Sequence, residues 1–282
     1  MMDHARELMK GAYELHVHCA PSHMSRKQDD WEYARMLDEY GMAGSITKKH
    51  FGGTADRAYI VNKYGNFHAK LYGAIALDLP VGGLNPYAVR SELLAGAKFV
   101  YLPTVHAQNH MNKMKAVLPV TGPGITILND DGTLKQVVYD IMDVVKEFNA
   151  VLCTGHVSAE EAYVAVKAGL DYGVTMMVTH PEGGFINMSV EQQAELAAAG
   201  AFIEKCWLNV VGGKVTIDEM AERIRIIGYE HCVLVTDFGQ AKNDYSLAAL
   251  HQFIEALLER GFNDSEIRKM IVDNPKELLR LV

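Results

Sequence analysis

The sequence lacks a long apolar run. None of its 282 residues belongs to an unbroken apolar stretch of the roughly 18 residues that a membrane-spanning helix needs. Its leading segment, "MMDHARELMKGA", has no apolar core of the kind a secretory signal carries, so a cytoplasmic protein is expected. Cysteine is scarce. Cys19, Cys153, Cys206 and Cys232 show no CxxC spacing, which points to free thiols in a reducing compartment. Positive charge is in deficit: 27 Lys and Arg stand against 35 Asp and Glu, a net charge of -8. That balance argues against nucleic acid or an anionic membrane as the main partner. A GxGxxG phosphate loop is also missing. The segment after the first apolar run reads "HVHCAPSHMSR", and "VGGLNP" at 81–86 has the wrong spacing.

What is present is a rhythm. Eight short apolar runs occur at 13–18, 43–50, 69–78, 98–104, 150–156, 174–180, 201–208 and 232–239. Amphipathic stretches of helical length lie between them, with Ser158, Ser189 and Thr216 as N-cap candidates. Eight strands, each followed by a helix, predict an α/β fold: a (β/α)8 TIM barrel forming one domain over 1–282. The rhythm breaks once. Strands four and five are far apart, and the extra part, about 105–132, contains Pro119, Pro123 and three glycines. It reads as a long insertion after strand 4, with a short strand in "GITIL", placed at the active-site end. The tail "DNPKELLRLV" reads as a final helix with Asn274 as cap and Pro275 at its first position.

In such a barrel the C-terminal strand ends converge on one mouth. Strand one brings His16 and His18 there, strand two Lys48 and His50, and strand three Asp78. Strand four leads to His106 and His110, and strands five and six end at His156 and His180. Strand seven carries Glu204 and strand eight ends at Asp237. Residues i and i+2 of a strand share a face, so His16 and His18 point the same way. A buried imidazole needs a partner, and a divalent cation satisfies two at once. The candidate ligands are His16, His18, His156, His180, Asp237, His50 and Glu204, with Glu204 alternatively a buried partner for a ligand or lysine. Imidazole with carboxylate suits Zn²⁺ first, with Mn²⁺ or Fe²⁺ as alternatives, as one or two ions.

The expected chemistry follows from the ligands. An ion lowers the pKa of its water to about 7. Asp237 then accepts the proton, and His180 or His156 polarises a carbonyl. Asp237, His180 and Lys48 are the candidate catalytic residues; His106, His110 and Lys49 are the candidate substrate-binding residues. Lys48, Lys49, Lys113, Lys115 and Lys242 at or near the mouth suggest a small anionic substrate. Asp78 reads more simply as a cap for the turn that follows it. No interface is legible, so homo-oligomerisation is left open.

This order of residues resembles the amidohydrolase superfamily, which has HxH on strand one, His on strands five and six, and Asp on strand eight. His16, His18, His156, His180 and Asp237 carry the match, and "DNPKELLRL" resembles the family's terminal helix. More narrowly, "ELHVHCAPS", "VGGLNPYAV", "LPTVHAQNH", "TGHVSAEE", "THPEGG" and "VTDFGQ" resemble an uncharacterised family of amidohydrolase-like barrels. The resemblance implies a metal-dependent hydrolase of a small amide, lactam or lactone. It also implies a carboxylated lysine or glutamate at the end of strand four, where this chain has "YLPT". "AGSITKKHFG" is similar to the strand-two motif of PHP-type phosphoesterases, with Lys49 in place of the acid. A PHP-like phosphoesterase, with His50 as an added ligand, is therefore the alternative. A decarboxylase or carbon–carbon lyase is a further class, and a barrel without catalysis is the non-enzyme reading.

Overall fold

The computed structural model describes residues 3–114 and 120–281. Eight parallel strands form one sheet: β1 (Tyr13–His18), β2 (Gly44–Lys48), β3 (Lys70–Ala76), β4 (Ala97–Tyr101), β5 (Val151–Cys153), β6 (Thr175–Val178), β7 (Phe202–Cys206) and β8 (Cys232–Val235). Each is followed by at least one helix, as the periodicity predicts, and the architecture is a (β/α)8 barrel. Strand β5 is only three residues long, shorter than its apolar run, because the chain turns at Thr154 toward His156. A two-residue strand, Gly52–Gly53, pairs antiparallel with β3 just after the Lys48–His50 segment.

Two apolar layers hold the barrel. The inner one packs Leu15, Ile46, Phe99, Tyr101, Val151, Met177 and Val235 among others, and Leu278 and Leu279 of the last helix join it. The outer one lies between strands and helices and includes Val17, Val100, Leu152 and Leu234. Helix starts are fixed locally. Ser158, Ser189 and Thr216 each form a capping box, with Glu161, Gln192 and Glu219. Asn274 does not cap the last helix as expected. Its buried amide instead donates to the carbonyls of Tyr229 and Cys232, tying that helix to the start of β8.

The insertion carries a helix, Gln108–Lys113, and no strand at "GITIL". Ile125 and Leu128 form only single bridges, to Ala107 and Leu134. Lys115 and Pro119 lie outside the described residues. All four cysteines are buried and free. Among the described residues no helix is long and apolar enough to cross a membrane.

The barrel closes by an unusual seam. Strands β1 and β8 share no regular ladder; Val17 and Phe238 form a single parallel bridge. The Asp237 amide donates to the His16 carbonyl and the His18 amide to the Phe238 carbonyl, both at 2.9 Å. Deeper in the seam the Glu14 carboxylate takes the place of backbone. It accepts from the His16 amide at 2.9 Å and the Thr236 amide at 3.1 Å. The β1–β2 register shifts between Glu14 and Val17. That irregularity re-aims the strand. Leu15 belongs to the inner core, Val17 to the outer one, and His16 and His18 nevertheless meet inside the mouth.

Candidate metal centre

His16 and His18 are almost fully buried, with rings 5.5 Å apart. Asp237 enters from the end of β8. Its Oδ1 lies 3.3 Å from His16 Nε2 and 3.1 Å from His18 Nε2. Bonds of about 2.0–2.1 Å in a tetrahedral shell separate two ligand atoms by roughly 3.3 Å. These three donors therefore have the bite of a first-row divalent ion. They form one group of mutually close ligand atoms. Three protein ligands leave further positions open, as catalytic rather than structural sites do.

The backbone is bent to present them. Asp237 has φ +55, in the left-handed region. At Gly239, φ is +134, and a Cβ there would lie 1.9 Å from the His18 carbonyl oxygen. Only glycine lets the segment after β8 pass β1 so closely. His180 also has positive φ, +27. Strained backbone of this kind clusters at functional sites.

Proton positions follow from the partners. His16 Nδ1 lies 3.1 Å from both Glu204 oxygens, so it donates there and keeps Nε2 as a lone pair toward Asp237. Burial above all, then the Lys48 charge, lowers the His16 pKa to about 3, so the ring is neutral at pH 7. The Arg26 guanidinium donates to His18 Nδ1 at 3.3 Å, which puts the His18 proton on Nε2, facing Asp237. Coordination through His18 Nε2 requires that proton to move to Nδ1 and the Arg26 bond to open. Lys48 is buried. Its Nζ sits 2.9 Å from His16 Nε2 and 3.8 Å above the Tyr101 ring. Burial lowers its pKa, against the pull of Asp237 and Glu204. His16 Nε2 cannot accept from Lys48 and bind an ion at once, so loading the site displaces this ammonium.

The remaining expected ligands do not join the group. Glu204 has its oxygens committed to His16 Nδ1 and, at 2.9 Å, to the His180 amide; it stands behind the ligands and orients them. Burial raises its pKa to about 7. His180 stacks on His16 at 5.7 Å and faces His156 at 5.0 Å, with its buried Nδ1 unpartnered among the described residues. His156 faces His110, their Nδ1 atoms 3.0 Å apart, so one donates to the other. The Thr104 hydroxyl donates to Asp78 and accepts from His50 Nδ1 at 2.9 Å, leaving His50 Nε2 free to coordinate. The His50 ring is 4.7 Å from His18 and 5.5 Å from His156. Burial depresses His18, His50 and His156 well below the ordinary imidazole value, and brings His110 and His180 to about 4. His50, His110 and His156 thus form a second, neutral imidazole cluster beside the trio.

Asp78 does not cap its turn. Fully buried, it accepts from the Thr104 and His106 amides and holds the "YLPT" corner in place. His106 is pinned there, 3.4 Å from Asp78, with its ring toward Phe51. Lys49 lies apart from the trio, lining a hollow with Ser22, His23 and Phe51. Lys242 is exposed in the loop after β8. The end of β4 supplies no bridging acid; Tyr101 stands there under Lys48. The sequence reading passed over Glu14, Arg26, Tyr101 and Phe185. A charged residue two before a buried histidine was the available signal for Glu14. A second His and carboxylate trio, Asp3, His251 and Glu255, is near the surface, and His251 already bonds Asp3 at 2.6 Å.

No curated protein matches this chain. Solved structures do match in fold. An amidohydrolase from Pseudomonas aeruginosa superposes with TM-score 0.68 at 13% identity, over 99% of this chain and 98% of that one. A probable 2-pyrone-4,6-dicarboxylic acid hydrolase from Acinetobacter baumannii gives 0.63 at 12%, over 96% and 99%. An organophosphorus hydrolase from Deinococcus radiodurans gives 0.61 at 13%, over 96% and 93%. The barrel implied by the resemblance to amidohydrolases is the fold observed. A family model matches residues 11–204, and the chain belongs to that family, described as Family of unknown function (DUF6282).

Proposed function

We infer that this protein is a metal-dependent hydrolase of a small anionic amide, lactam or lactone. One observation carries the reading: His16 Nε2, His18 Nε2 and Asp237 Oδ1 converge at ligand spacing in a buried mouth, with Glu204 behind His16. The fold neighbours named as amidohydrolase and as 2-pyrone-4,6-dicarboxylic acid hydrolase support the same chemistry. When bound, a divalent ion, Zn²⁺ first, supplies Lewis acidity and a water activated at neutral pH. The chain's own residues do the rest. Asp237 has a second carboxylate oxygen to take a proton and pass it to the leaving group. His180 faces the cage as a neutral ring able to polarise a carbonyl. Lys48, displaced from His16 on loading, remains at hand as a cation for developing negative charge.

Metal analysis of protein purified without chelator tests this reading. At least one Zn²⁺, Mn²⁺ or Fe²⁺ per chain is expected, and chelation should abolish turnover of one member of a panel of lactones and N-acyl amino acids. Absence of metal, with melting unaffected by chelator, would sink it. A phosphoesterase is the second reading. It is favoured by His50, whose Nδ1 is held by Thr104 and whose ring lies beside His18 and His156, where a further ligand could stand. Turnover of phosphomonoesters, with a second ion per chain, would select it.

A further inference from the structure

Phe185 is the wall between two spaces. Its ring meets His110 and His156 at 4.9 Å and His180 at 5.5 Å. It also lines a cavity of about 420 Å³ with Lys113, Gly184, Leu208, Asn209 and Lys214. The Asn209 side chain is nine-tenths buried, yet its Nδ2 has no hydrogen-bond partner among the described residues. A buried donor left unpaired is unusual in a folded protein and marks a place where something else accepts. Two lysines stand at the rim. Lys113 Nζ is held by the Phe185 carbonyl at 2.9 Å, with two of its three protons left over. Lys214 lies across Gly184, where a Cβ would come within 3.2 Å of its side chain. The Lys214 amide donates to the Asn209 carbonyl at 2.8 Å, so one tight turn fixes both residues. Neither lysine has an ion-pair partner among the described residues, in a chain of net charge -8.

We propose that this cavity is a carboxylate subsite. The Lys113 and Lys214 ammonium groups supply its charge, Asn209 its fixed donor, and Phe185 and Leu208 an apolar surface for the carbon chain between. The part of the proposal that concerns the substrate rests on the hydrolase reading: the scissile group sits at the trio, and a free carboxylate reaches past Phe185. Two point-charge cations and one amide donor hold an anion, and the apolar Phe185 and Leu208 beside them suit the carbon chain of an organic carboxylate.

Glutarate is the probe, titrated by ligand-observed NMR into the full chain before and after chelator treatment. Binding is expected in both states. The Lys113→Met/Lys214→Met variant should weaken it about tenfold or more, as loss of charge-assisted bonds does. Asn209→Leu, which leaves surface charge unchanged, should weaken it as well, and glutaramide should bind poorly to all forms. Unchanged glutarate affinity in the lysine variant overturns the proposal. So does glutaramide binding as tightly as glutarate, or methyl phosphate binding more tightly. A protein that holds no ion yet binds glutarate through these lysines refutes the hydrolase reading and leaves the subsite standing.

Discussion

Asp237 combines the oxygen proposed as a ligand with a left-handed backbone, and that pairing decides how it can be tested. Asparagine tolerates positive φ better than most residues and has the same shape. Asp237→Asn should therefore keep the fold, with an unchanged circular dichroism spectrum, while turnover falls by about 10²–10⁴ through loss of the proposed general base. Unchanged turnover would remove that role. Glu204 has a different task. It accepts from His16 Nδ1 and so sets the lone pair on Nε2. Glu204→Gln should loosen the ion about 10–100-fold, the usual cost of losing a carboxylate behind a ligating histidine. Competition with a metal-indicator dye measures this, and an unaltered ion affinity would show that Glu204 has only a structural place.

At the scale of strands, strict alternation explains why His16 and His18 share a direction, but not why that direction is inward. Leu15 already faces the inner core, so an unbroken β1 would send His16 and His18 outward. The irregularity between Glu14 and Val17 reverses the face. Strand order, helix order and the residues at strand ends were legible, because apolar period and chain order survive in sequence. The bulge was not, since it depends on β1 meeting β8. Glu204 read both as a ligand and as a buried partner for one, and sequence alone could not choose between them, because its neighbours come from β1 and from the end of β6. Glu14 fills the seam that the bulge leaves. Glu14→Leu should strip acceptors from the buried His16 and Thr236 amides and cost about 2–5 kcal/mol in urea unfolding. Glu14→Gln retains an acceptor and should cost clearly less. Equal losses would mean that packing, not hydrogen bonding, is what Glu14 provides.

Over the whole molecule the buried titratable groups set a preferred pH. Seven imidazoles have lowered pKa values: His16, His18, His23, His50, His110, His156 and His180. Three carboxylates have raised ones: Glu92, Glu204 at about 7 and Glu14 at about 8. Below the ordinary imidazole value of 6.5 the unfolded chain takes up protons that the folded chain refuses, so stability is lost as pH falls. The carboxylates act oppositely from 4.5 upward, but three are outnumbered by seven. Between 6.5 and about 8 these imidazoles no longer contribute, while Glu204 and Glu14 still titrate and lower stability as pH rises. Chelator-treated protein should therefore melt highest near pH 6.5, with the steeper fall on the acid side; a maximum above pH 8 would contradict this balance.

The seam also carries a kinetic consequence. Glu14 and Thr236 are 222 residues apart, so joining β1 to β8 shuts the longest strand-to-strand loop and must wait for the last strand. His16 and His18 sit on one side of that joint and Asp237 on the other. An ion held by all three, as proposed, would be a clasp on the ring. Its free concentration would then set how often the ring opens, through the mass-action gain of any ligand that binds only the folded state. The amides of His18 and Asp237 should be among the early ones to exchange with deuterated water in the chelated ring and among the late ones in the loaded one.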